Sequence, residues 1–479
     1  MNQDKNEPKP AILLRDTMTG DKRAFTPMRK TIFGKPVVHM YHCGPTVYNY
    51  IHIGNLRAFF LADSLRRMFE ANGYKVKQVM NVTDVGLLES DNAEDKMTLA
   101  LKREGKPLTL DAMRELADFY TEAFLKDLAA LNIKTPHILP KASDHIKEDI
   151  TIVRKLEKKG LTYVIPDGVY FDTEKAGDYG KLGHVPDIAN DQSRIGMNTD
   201  KKNPRDFALW KSNSDLGWES PWGKGFPGWH IECSAMSMKY LGETFDIHTG
   251  GIDLIPVHHN NEIAQSEHAT GHPFVRYWLH NAFVNVGDSK MAKSAGNYIS
   301  VSTLLEKGFS AMDYRYFLLG ARYSTPLNFT WEALEAARNA YKRLNAAVCD
   351  LPWKDADGNG HAGKPNEEYW NRALAAMSDD LDTPRVLALQ WEILKDTSLS
   401  PADKKATILK IDELLGLAKA DDDNGVKAEI PADVLAIVEE RVKARAAKDW
   451  QKSDALRDEV SAKGFTVKDG PDGQKVEKL

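Results

Sequence analysis

Apolar residues near the start of the chain switch between the spacing of a strand and that of a helix. Residues 37–41 form a short run of β-branched and aromatic side chains, which predicts a buried strand. Apolar residues then recur at helical spacing over 58–69, which predicts a helix that ends near Gly73. Residues 76–82 predict a second strand, so this region has the strand–helix–strand order of an α/β fold with a parallel sheet.

The loop between the first strand and the helix carries residues that can do chemistry. It places Cys43 after the strand, and His52, Gly54 and Asn55 at the start of the helix. Free N–H groups at a helix N-terminus favour bound phosphate, and open α/β sheets bind ligands at the carboxyl ends of their strands. A histidine at a helix start is also an ordinary polar cap, so this loop alone does not decide the function.

Further elements are predicted along the chain. Residues 1–30 are a polar leader with a strand that pairs with the core, 93–132 are amphipathic helices, and 164–172 are a strand. Thr330 is expected to cap a helix over 331–348, and Thr383 followed by Pro384 to open another, within a helical bundle over 331–418. The acidic run that begins at Asp421 predicts a linker.

A second candidate site lies far downstream. Lys290 and Lys293 occupy a short loop that contains Ser and Gly and follows an apolar run. Most short lysine clusters are solvated surface. Taken together, however, the His52 loop and this lysine loop, in this order in one α/β chain, resemble the signature motifs of class I aminoacyl-tRNA synthetases and related nucleotidyl transferases.

Composition excludes several classes of protein. The 479 residues suffice for about three domains, and 42% hydrophobic with 28% charged residues is typical of an ordinary globular chain. No apolar run approaches the ~20 residues of a membrane span, and the polar start resembles no targeting peptide. We therefore expect a cytoplasmic protein. The net charge of −5 neither indicates nor excludes a nucleic-acid partner, which needs only a local basic face.

The three cysteines are too few for a disulfide framework and suit a reducing compartment. For Cys349 we expect a structural thiol. Cys43 and Cys233 can be considered with His258 and Glu262, which share one helix face because they are four residues apart. Two thiolates, an imidazole and a carboxylate make a tetrahedral zinc set. Because the cysteines form no CxxC pair, spacing alone leaves both the zinc site and two structural thiols open.

One family shares many short motifs with this chain: it resembles cysteinyl-tRNA synthetase. The matching stretches are CGPTVY at 43–48, HIG at 52–54, NVTD at 81–84, DFALWK at 206–211, residues 227–236, DIH at 246–248, Gly250, Gly251, Asp253, residues 258–265 and the lysine loop. The resemblance implies that Cys43, Cys233, His258 and Glu262 bind one Zn²⁺ per chain. It also implies a reason for the zinc ion: the soft thiolate of substrate cysteine is a far better zinc ligand than the hydroxyl of serine.

The implied activity is that of a cysteine–tRNA ligase. Such an enzyme activates L-cysteine with ATP and Mg²⁺ to cysteinyl-adenylate, releases pyrophosphate, and transfers cysteine to the 3′ terminal adenosine of tRNA(Cys). On this resemblance the catalytic residues are His52, Asn55, Lys290 and Lys293. The ATP site adds Gly44, Pro45, Gly54, Gly250, Gly251 and Asp253, and the cysteine site consists of Thr46, Thr83 and Trp229.

The resemblance also implies a domain order. We expect a Rossmann-like catalytic domain with a parallel sheet, in two halves at 1–135 and 205–285, interrupted by a connective insertion at 136–204. This insertion is too short for a large editing module. A lysine-loop and stem-contact region at 286–330, a helical bundle at 331–420 and a C-terminal anticodon-binding region at 421–479 follow.

The C-terminal region carries an excess of basic residues, which we expect to lie across one helix. They are Arg441, Lys443, Arg445, Lys448, Lys452 and Arg457, with Trp450 among them. A basic helix is more often a solvated face, but the resemblance favours contact with the tRNA anticodon, where Trp450 can stack on a base. We expect a monomer.

Some positions depart from the family pattern, and two other functions stay open. Asn55 stands where a second histidine is commonest, Ala292 replaces a serine, Thr249 replaces a glycine, and Pro256 with Val257 replaces Phe-Pro. One alternative is a cysteine-activating ligase of the same fold that joins cysteine to an amino sugar, which should lack the basic C-terminal helix. The other is a non-catalytic RNA-binding paralogue, which should have lost His52 or the lysine pair.

Overall fold

The computed structural model describes residues 10–85, 96–184, 199–213, 215–287, 289–290, 298–354, 363–417, 432–447, 449–463, 465–470 and 473–478. The chain divides into two units, 1–417 and 418–479. The strands of the first unit are β1 (Leu13–Arg15), β2 (Lys22–Ala24), β3 (Arg29–Lys30), β4 (Pro36–His42), β5 (Lys75–Met80), β6 (Thr162–Ile165), β7 (Gly168–Phe171), β8 (Phe207–Ser212), β9 (Gly225–Pro227), β10 (Phe245–Gly251), β11 (Val275–Asn281), β12 (Val284–Val286), β13 (Ser289–Lys290) and β14 (Leu327–Phe329). Its helices are α1 (Ile53–Ala71), α2 (Lys96–Arg103), α3 (Leu110–Ala130), α4 (Ile146–Lys158), α5 (Trp229–Leu241), α6 (Asn260–Thr270), α7 (Val301–Glu306), α8 (Ala311–Leu319), α9 (Trp331–Cys349), α10 (Glu367–Ser378), α11 (Thr383–Lys395) and α12 (Pro401–Leu415).

A parallel sheet forms the centre of the first unit, in the order β11-β10-β4-β5. Side chains alternate between its two faces. On β4, Val38 and Met40 pack into one buried cluster with α1, whereas Tyr41 packs into a second cluster with α3 and α5. Helices therefore cover both faces, which confirms the predicted α/β class.

Helix α1 follows the predicted spacing closely. Leu61, Leu65 and Phe69 are completely buried against the sheet, and Gly73 just after the helix has a positive φ of 84°, a conformation that glycine adopts without steric cost. Because α1 follows β4 in the chain, its N-terminus lies at the carboxyl edge of β4.

The leader and the inserted region differ from their predictions in detail. The leader contains three short strands: β1 pairs with β2, and β3 pairs with the start of β4. The single strand expected over 164–172 is a hairpin, β6 and β7, because Pro166 and Asp167 form a turn. The antiparallel sheet continues through β8 to β9, in the order β6-β7-β8-β9, so its strands extend past residue 204 to Pro227.

After β14, helices α10, α11 and α12 pack against one another, whereas α9 packs against α8. Thr330 caps α9 as predicted, accepting the N–H of Ala333 at 3.0 Å. The cap of α11 is shifted by one residue from the prediction: Asp382 accepts the N–H of Arg385, whereas the Thr383 hydroxyl donates to the carbonyl of Leu319 at 3.0 Å. Pro384 still lies in the first turn, where it removes no helical hydrogen bond.

The second unit contains α13 (Ala432–Ala446), α14 (Trp450–Ala462) and the hairpin β15 (Phe465–Gly470) and β16 (Gly473–Lys478). Val434, Val438 and Val460 form its small core. The basic residues are thus divided between two helices rather than lying on one. The linker predicted from Asp421 lies outside the described residues.

Candidate active site and metal centre

A cavity opens at the carboxyl edge of the parallel sheet. Strand β4 leads to it at Cys43, strand β5 leads to Thr83, and strand β10 ends there at Gly250 and Gly251. The predicted residues that line it are Cys43, Gly44, Thr46, His52, Gly54, Asn55, Thr83, Trp229, Cys233, Gly250, Gly251, Asp253 and His258. Thr46 and Thr83 face each other across a parallel β-bridge. The structure therefore brings together residues that are up to 215 positions apart in sequence.

Two glycines are required here by close approach. A Cβ on Gly44 would lie 1.6 Å from the carbonyl oxygen of Asn81, and one on Gly250 would lie 2.8 Å from the ring of His259. Gly44 also donates its N–H to the Asn81 side chain at 2.8 Å. Only glycine lets these backbone segments come so close to their neighbours.

The four predicted metal ligands converge at one end of the cavity, which we call the thiol end. One ligand atom from each of Cys43, Cys233, His258 and Glu262 lies within 4.8 Å of the others. Cys233 is on α5, His258 lies in a π-helical turn (Ile255–His259), and Glu262 is on α6. The four-residue spacing of His258 and Glu262 places them on one side of a continuous helical segment.

Burial makes this cluster favour a bound cation. Cys233 is 1% exposed, His258 2% and Glu262 0%. The hydrogen bond with Cys43, together with burial, raises the pKa of the Cys233 thiol well above its ordinary value. Burial lowers the pKa of His258, but the Glu262 carboxylate and a hydrogen bond to Cys233 outweigh it and raise this pKa to about 10. The cluster therefore favours a positive charge, which a proton on His258 or a bound metal cation can supply.

The donor set fits a metal ion. Glu262 Oε1 lies 3.0 Å from His258 Nε2, yet among the residues that the structure describes it accepts no hydrogen bond. A buried carboxylate oxygen without a donor is costly unless a cation binds it. Two sulfurs, one imidazole nitrogen and one carboxylate oxygen are a usual zinc set.

Three further histidines orient these ligands. His230 Nδ1 lies 2.8 Å from His258 Nδ1, which leaves Nε2 directed at the cluster. His248 Nε2 lies 3.0 Å from Glu262 Oε2, and His259 Nε2 lies 3.3 Å from Cys43 Sγ. Hydrogen bonds of this kind fix the tautomer and direction of metal ligands.

His259 is held in turn by a chain of contacts. Its Nδ1 lies 2.7 Å from His280 Nε2, and His280 Nδ1 lies 2.7 Å from the hydroxyl of Thr17. Cys43, His248, His259 and Glu262 could also surround an ion. We favour the set with Cys233 and His258, because it has two thiols and because these other histidines are engaged as partners of the ligands.

Another part of the cavity, which we call the phosphate end, is formed by the start of α1. His52 and Asn55 make a capping box: the N–H of Asn55 donates to His52 Nδ1 at 3.2 Å, and the N–H of His52 donates to Asn55 Oδ1 at 3.3 Å. Both predicted phosphate-binding residues therefore also shape the helix N-terminus. No acidic residue lies in the first turn of α1, so nothing there repels an anion.

The segment that leads to the lysine loop is anchored to the same helix. The buried Arg57 of α1 donates to the carbonyls of Ala282 at 3.0 Å and Phe283 at 2.8 Å, directly before β12. Strand β12 pairs with β13, where Asn285 is opposite Lys290. Only the backbone of Lys290 is described, and Lys293 and Ala292 lie outside the described residues.

The remaining predicted residues have varied surroundings. The Trp229 ring is 4.2 Å from that of His258, as expected for a wall of the thiol end. Pro45 is buried without lining the cavity. In the second unit, Arg441 is completely buried, Lys443 and Lys452 are exposed, and Trp450 is 56% exposed with the Arg445 guanidinium 5.6 Å from its ring. Lys448 lies outside the described residues.

The sequence motifs indicate no role for the histidines around the ligands. His230, His248 and His259 lie inside the matching motifs, and His280 lies outside them. A signal did exist for His280, because a histidine that ends a strongly apolar strand, YWLH, lies at the ligand-binding edge of the sheet.

Comparison with known proteins gives matches over nearly the whole chain. Residues 30–339 match the family model for the class I (C) tRNA synthetase catalytic domain, and residues 427–476 match the cysteinyl-tRNA ligase anticodon binding domain. Methionyl-tRNA synthetase of Mycobacterium tuberculosis, solved with methionyl-adenylate, has the same fold: the TM-score is 0.54 at 16% identity, over 84% of this chain and 94% of that one. The chain is thus a class I aminoacyl-tRNA synthetase by fold and catalytic domain.

Two similar proteins identify which family of aminoacyl-tRNA synthetases the chain belongs to. Cysteine–tRNA ligase 1 of Burkholderia lata is 43% identical over 97% of this chain and 96% of its own length. Cysteine–tRNA ligase of Treponema denticola is 40% identical over 96% of this chain and 98% of its own. The chain belongs to the cysteine–tRNA ligase family and is a ligase enzyme. In the described part of the chain no helix is long and apolar enough to cross a membrane.

Proposed function

We propose that the protein joins L-cysteine to tRNA(Cys) in two steps, adenylation with ATP and transfer to the terminal adenosine. One observation carries this proposal beyond family membership. Cys43, Cys233 and His258, with Glu262 beside them, form a cluster of donors at a cavity that is also lined by a helix N-terminus suited to phosphate. An amino acid with a thiol and a nucleotide with phosphates can therefore meet in one cavity.

The thiol end selects the amino acid. One Zn²⁺ bound to the four donors would coordinate the substrate thiolate and discriminate against the hydroxyl of serine. Trp229, Thr46 and Thr83 would enclose the remainder of cysteine, since all three line the cavity. Ordinary pocket contacts give a difference in binding free energy of only about 1–3 kcal/mol between near-isosteres such as cysteine and serine, so metal coordination is needed for stronger discrimination.

The phosphate end orients ATP. The backbone N–H groups at Gly54 and the side chains of His52 and Asn55 would donate to the phosphates, and Lys290 and Lys293 would approach from the other side, beyond the segment that Arg57 anchors. The cysteine carboxylate attacks the α-phosphorus in line, and pyrophosphate with its Mg²⁺ leaves. Gly44 and Pro45 belong to the same ATP site.

Adenosine would occupy the end of β10. Gly250 and Gly251 let the backbone approach the nucleoside, and Asp253 can accept hydrogen bonds from its ribose. The adenylate carbonyl then lies between the two ends of the cavity, where the terminal hydroxyl of tRNA must attack it.

The second unit would contact the tRNA anticodon through Lys443, Arg445, Lys448, Trp450 and Lys452. The exposure of Lys443, Trp450 and Lys452 supports this proposal. Arg441 is buried, so we do not include it among the tRNA contacts. We keep the domain order proposed above, with halves at 1–135 and 205–285 and the tRNA-binding region at 421–479. We also propose a monomer in the cytoplasm, a compartment that suits cysteines that form no disulfide.

Two assays test the proposal. The purified protein should hold about one zinc per chain by elemental analysis, and it should catalyse cysteine-dependent, serine-independent pyrophosphate exchange followed by charging of tRNA(Cys). A protein that activates cysteine but charges only an amino sugar would support the alternative ligase, for which the relatives reported above give no support. A zinc-free protein that still rejects serine would contradict the coordination mechanism.

A further inference from the structure

A group of three aromatic side chains, two of them exposed, lies just outside the cavity. Tyr50, Phe119 and Tyr120, which we call the aromatic shelf, come from the loop before α1 and from α3. The Tyr50 ring is 6.3 Å from Phe119 and 5.2 Å from Tyr120, and Phe119 is 5.2 Å from Tyr120, all edge to face. Tyr50 is 48% exposed and Phe119 is 55% exposed. Such exposure of two adjacent rings calls for a partner.

The shelf is fixed at the mouth of the cavity. Tyr50 is two residues before His52, which lines the cavity, and two residues of chain span at most about 7 Å. The Tyr298 hydroxyl donates to the carbonyls of Tyr50 at 2.9 Å and Ile51 at 3.0 Å, and the Tyr298 ring lies 6.0 Å from that of His52. Neither Tyr50 nor Phe119 lines the cavity itself, so the shelf is outside the space assigned to ATP and cysteine.

Basic residues flank the shelf. Arg103 of α2 donates to the carbonyl of Tyr48 at 2.9 Å and to the hydroxyl of Tyr120 at 3.3 Å, and Lys96 Nζ is 5.3 Å from the Tyr48 ring. Helix α2 and the turn after it, KMTLALKREGK, carry four basic residues against one acidic residue. Aromatic rings beside cations are the usual surface for unpaired nucleotides, because bases stack on the rings while cations attract phosphates.

We propose that the aromatic shelf binds the unpaired 3′ nucleotides of tRNA that precede the terminal adenosine. This inference rests on the proposed function, which requires that adenosine to enter the cavity. The nucleotides before it must then cross the mouth, where Tyr50 and Phe119 are exposed. Stacking there would hold the strand while its last residue reaches the adenylate.

The test compares two RNAs on one set of variants. Dissociation constants are measured for tRNA(Cys) and for the same tRNA lacking its unpaired 3′ nucleotides. Phe119→Ala should weaken binding of the complete tRNA about tenfold, the equivalent of one lost base stack, and leave binding of the shortened tRNA unchanged. Tyr50→Ala should act likewise, and Tyr50→Phe should retain binding because it keeps the ring.

Phe33→Ala is the matched control, since Phe33 is 86% exposed but precedes β4 at the opposite end of the strand from the cavity. It should change neither dissociation constant. If Phe119→Ala weakens both RNAs equally, or neither, the shelf does not bind the 3′ end. Cysteine-dependent pyrophosphate exchange by each preparation reports correct folding. Its absence from the unmodified protein would instead contradict the proposed function.

Discussion

The two ends of the cavity hold their groups by different means. At the thiol end the donors are buried or half-buried side chains, and three of them contact a supporting histidine: His230 lies 2.8 Å from His258, His248 lies 3.0 Å from Glu262, and His259 lies 3.3 Å from Cys43. At the phosphate end the main donors are backbone N–H groups at the start of α1, and the two side chains there cap that helix. A choice between sulfur and oxygen needs particular ligand atoms, whereas phosphate needs only positive potential and N–H groups.

This difference predicts the largest effect at the thiol end. Cys233→Ser should remove most of the bound zinc and raise the KM for cysteine roughly a hundredfold or more, because a hydroxyl is a poor replacement for a buried thiolate ligand. Elemental analysis and pyrophosphate exchange measure the two effects. Cys349→Ser is the matched control, since Cys349 is exposed and outside the cluster. A Cys233→Ser protein with normal zinc content and normal preference for cysteine would show that the cluster is not the selective element.

Both ends of the cavity lie in the first unit, so removal of the second unit should leave both intact. A chain that ends after Leu417 should keep cysteine-dependent pyrophosphate exchange, whereas tRNA binding should weaken roughly tenfold to a hundredfold because contacts to phosphate are lost. Titration of binding against salt should show a shallower dependence for the shortened chain. Equal charging of tRNA by both chains would exclude an anticodon-binding role for residues 418–479.

Features of the fold and of the site that depend on local spacing could be predicted from the sequence, and those that depend on contacts between distant elements could not. The strand, the loop and α1 were predictable because their apolar spacing is local, and the ligand pair His258 and Glu262 because a helix places positions four apart on one face. The partners of these ligands were not predictable. His280 reaches His259, and Thr17 reaches His280, only because β11 pairs with β10 and the leader packs beside β11.

The other differences have equally local causes. Pro166 and Asp167 split an apparent strand into a hairpin, and a break between Ala446 and Trp450 splits an apparent helix into two. Arg441 counted as a basic surface residue in the sequence, but its guanidinium is buried within the second unit. Burial of a charged side chain cannot be read from composition, because it depends on which helix face meets the rest of the unit.

An intermediate effect is expected for the residues that support the metal ligands. His230→Ala removes the contact that orients His258, so zinc affinity should fall roughly tenfold to a hundredfold. Competition with a chelator measures this affinity independently of activity. His230→Asn should recover part of the loss, since an amide can contact the same nitrogen. His272→Ala, an exposed histidine at 63% side-chain exposure, should retain the unmodified affinity. Equal zinc affinity in His230→Ala would mean that His258 needs no support.

The smallest effect is expected at the phosphate end. Asn55→His introduces the histidine that is commonest at this position in the family, but it loses the oxygen that accepts the N–H of His52. Loss of this capping-box hydrogen bond costs about 0.5–1.5 kcal/mol, and the new imidazole can still donate to a phosphate. The KM for cysteine should therefore stay nearly unchanged, because position 55 is at the opposite end from the thiol ligands, while the turnover of pyrophosphate exchange shifts severalfold. Steady-state exchange with cysteine and ATP varied separately distinguishes the two parameters. A large change in the KM for cysteine at constant turnover would show that the two ends of the cavity are coupled, and that side chains at the start of α1 take part in selecting the amino acid.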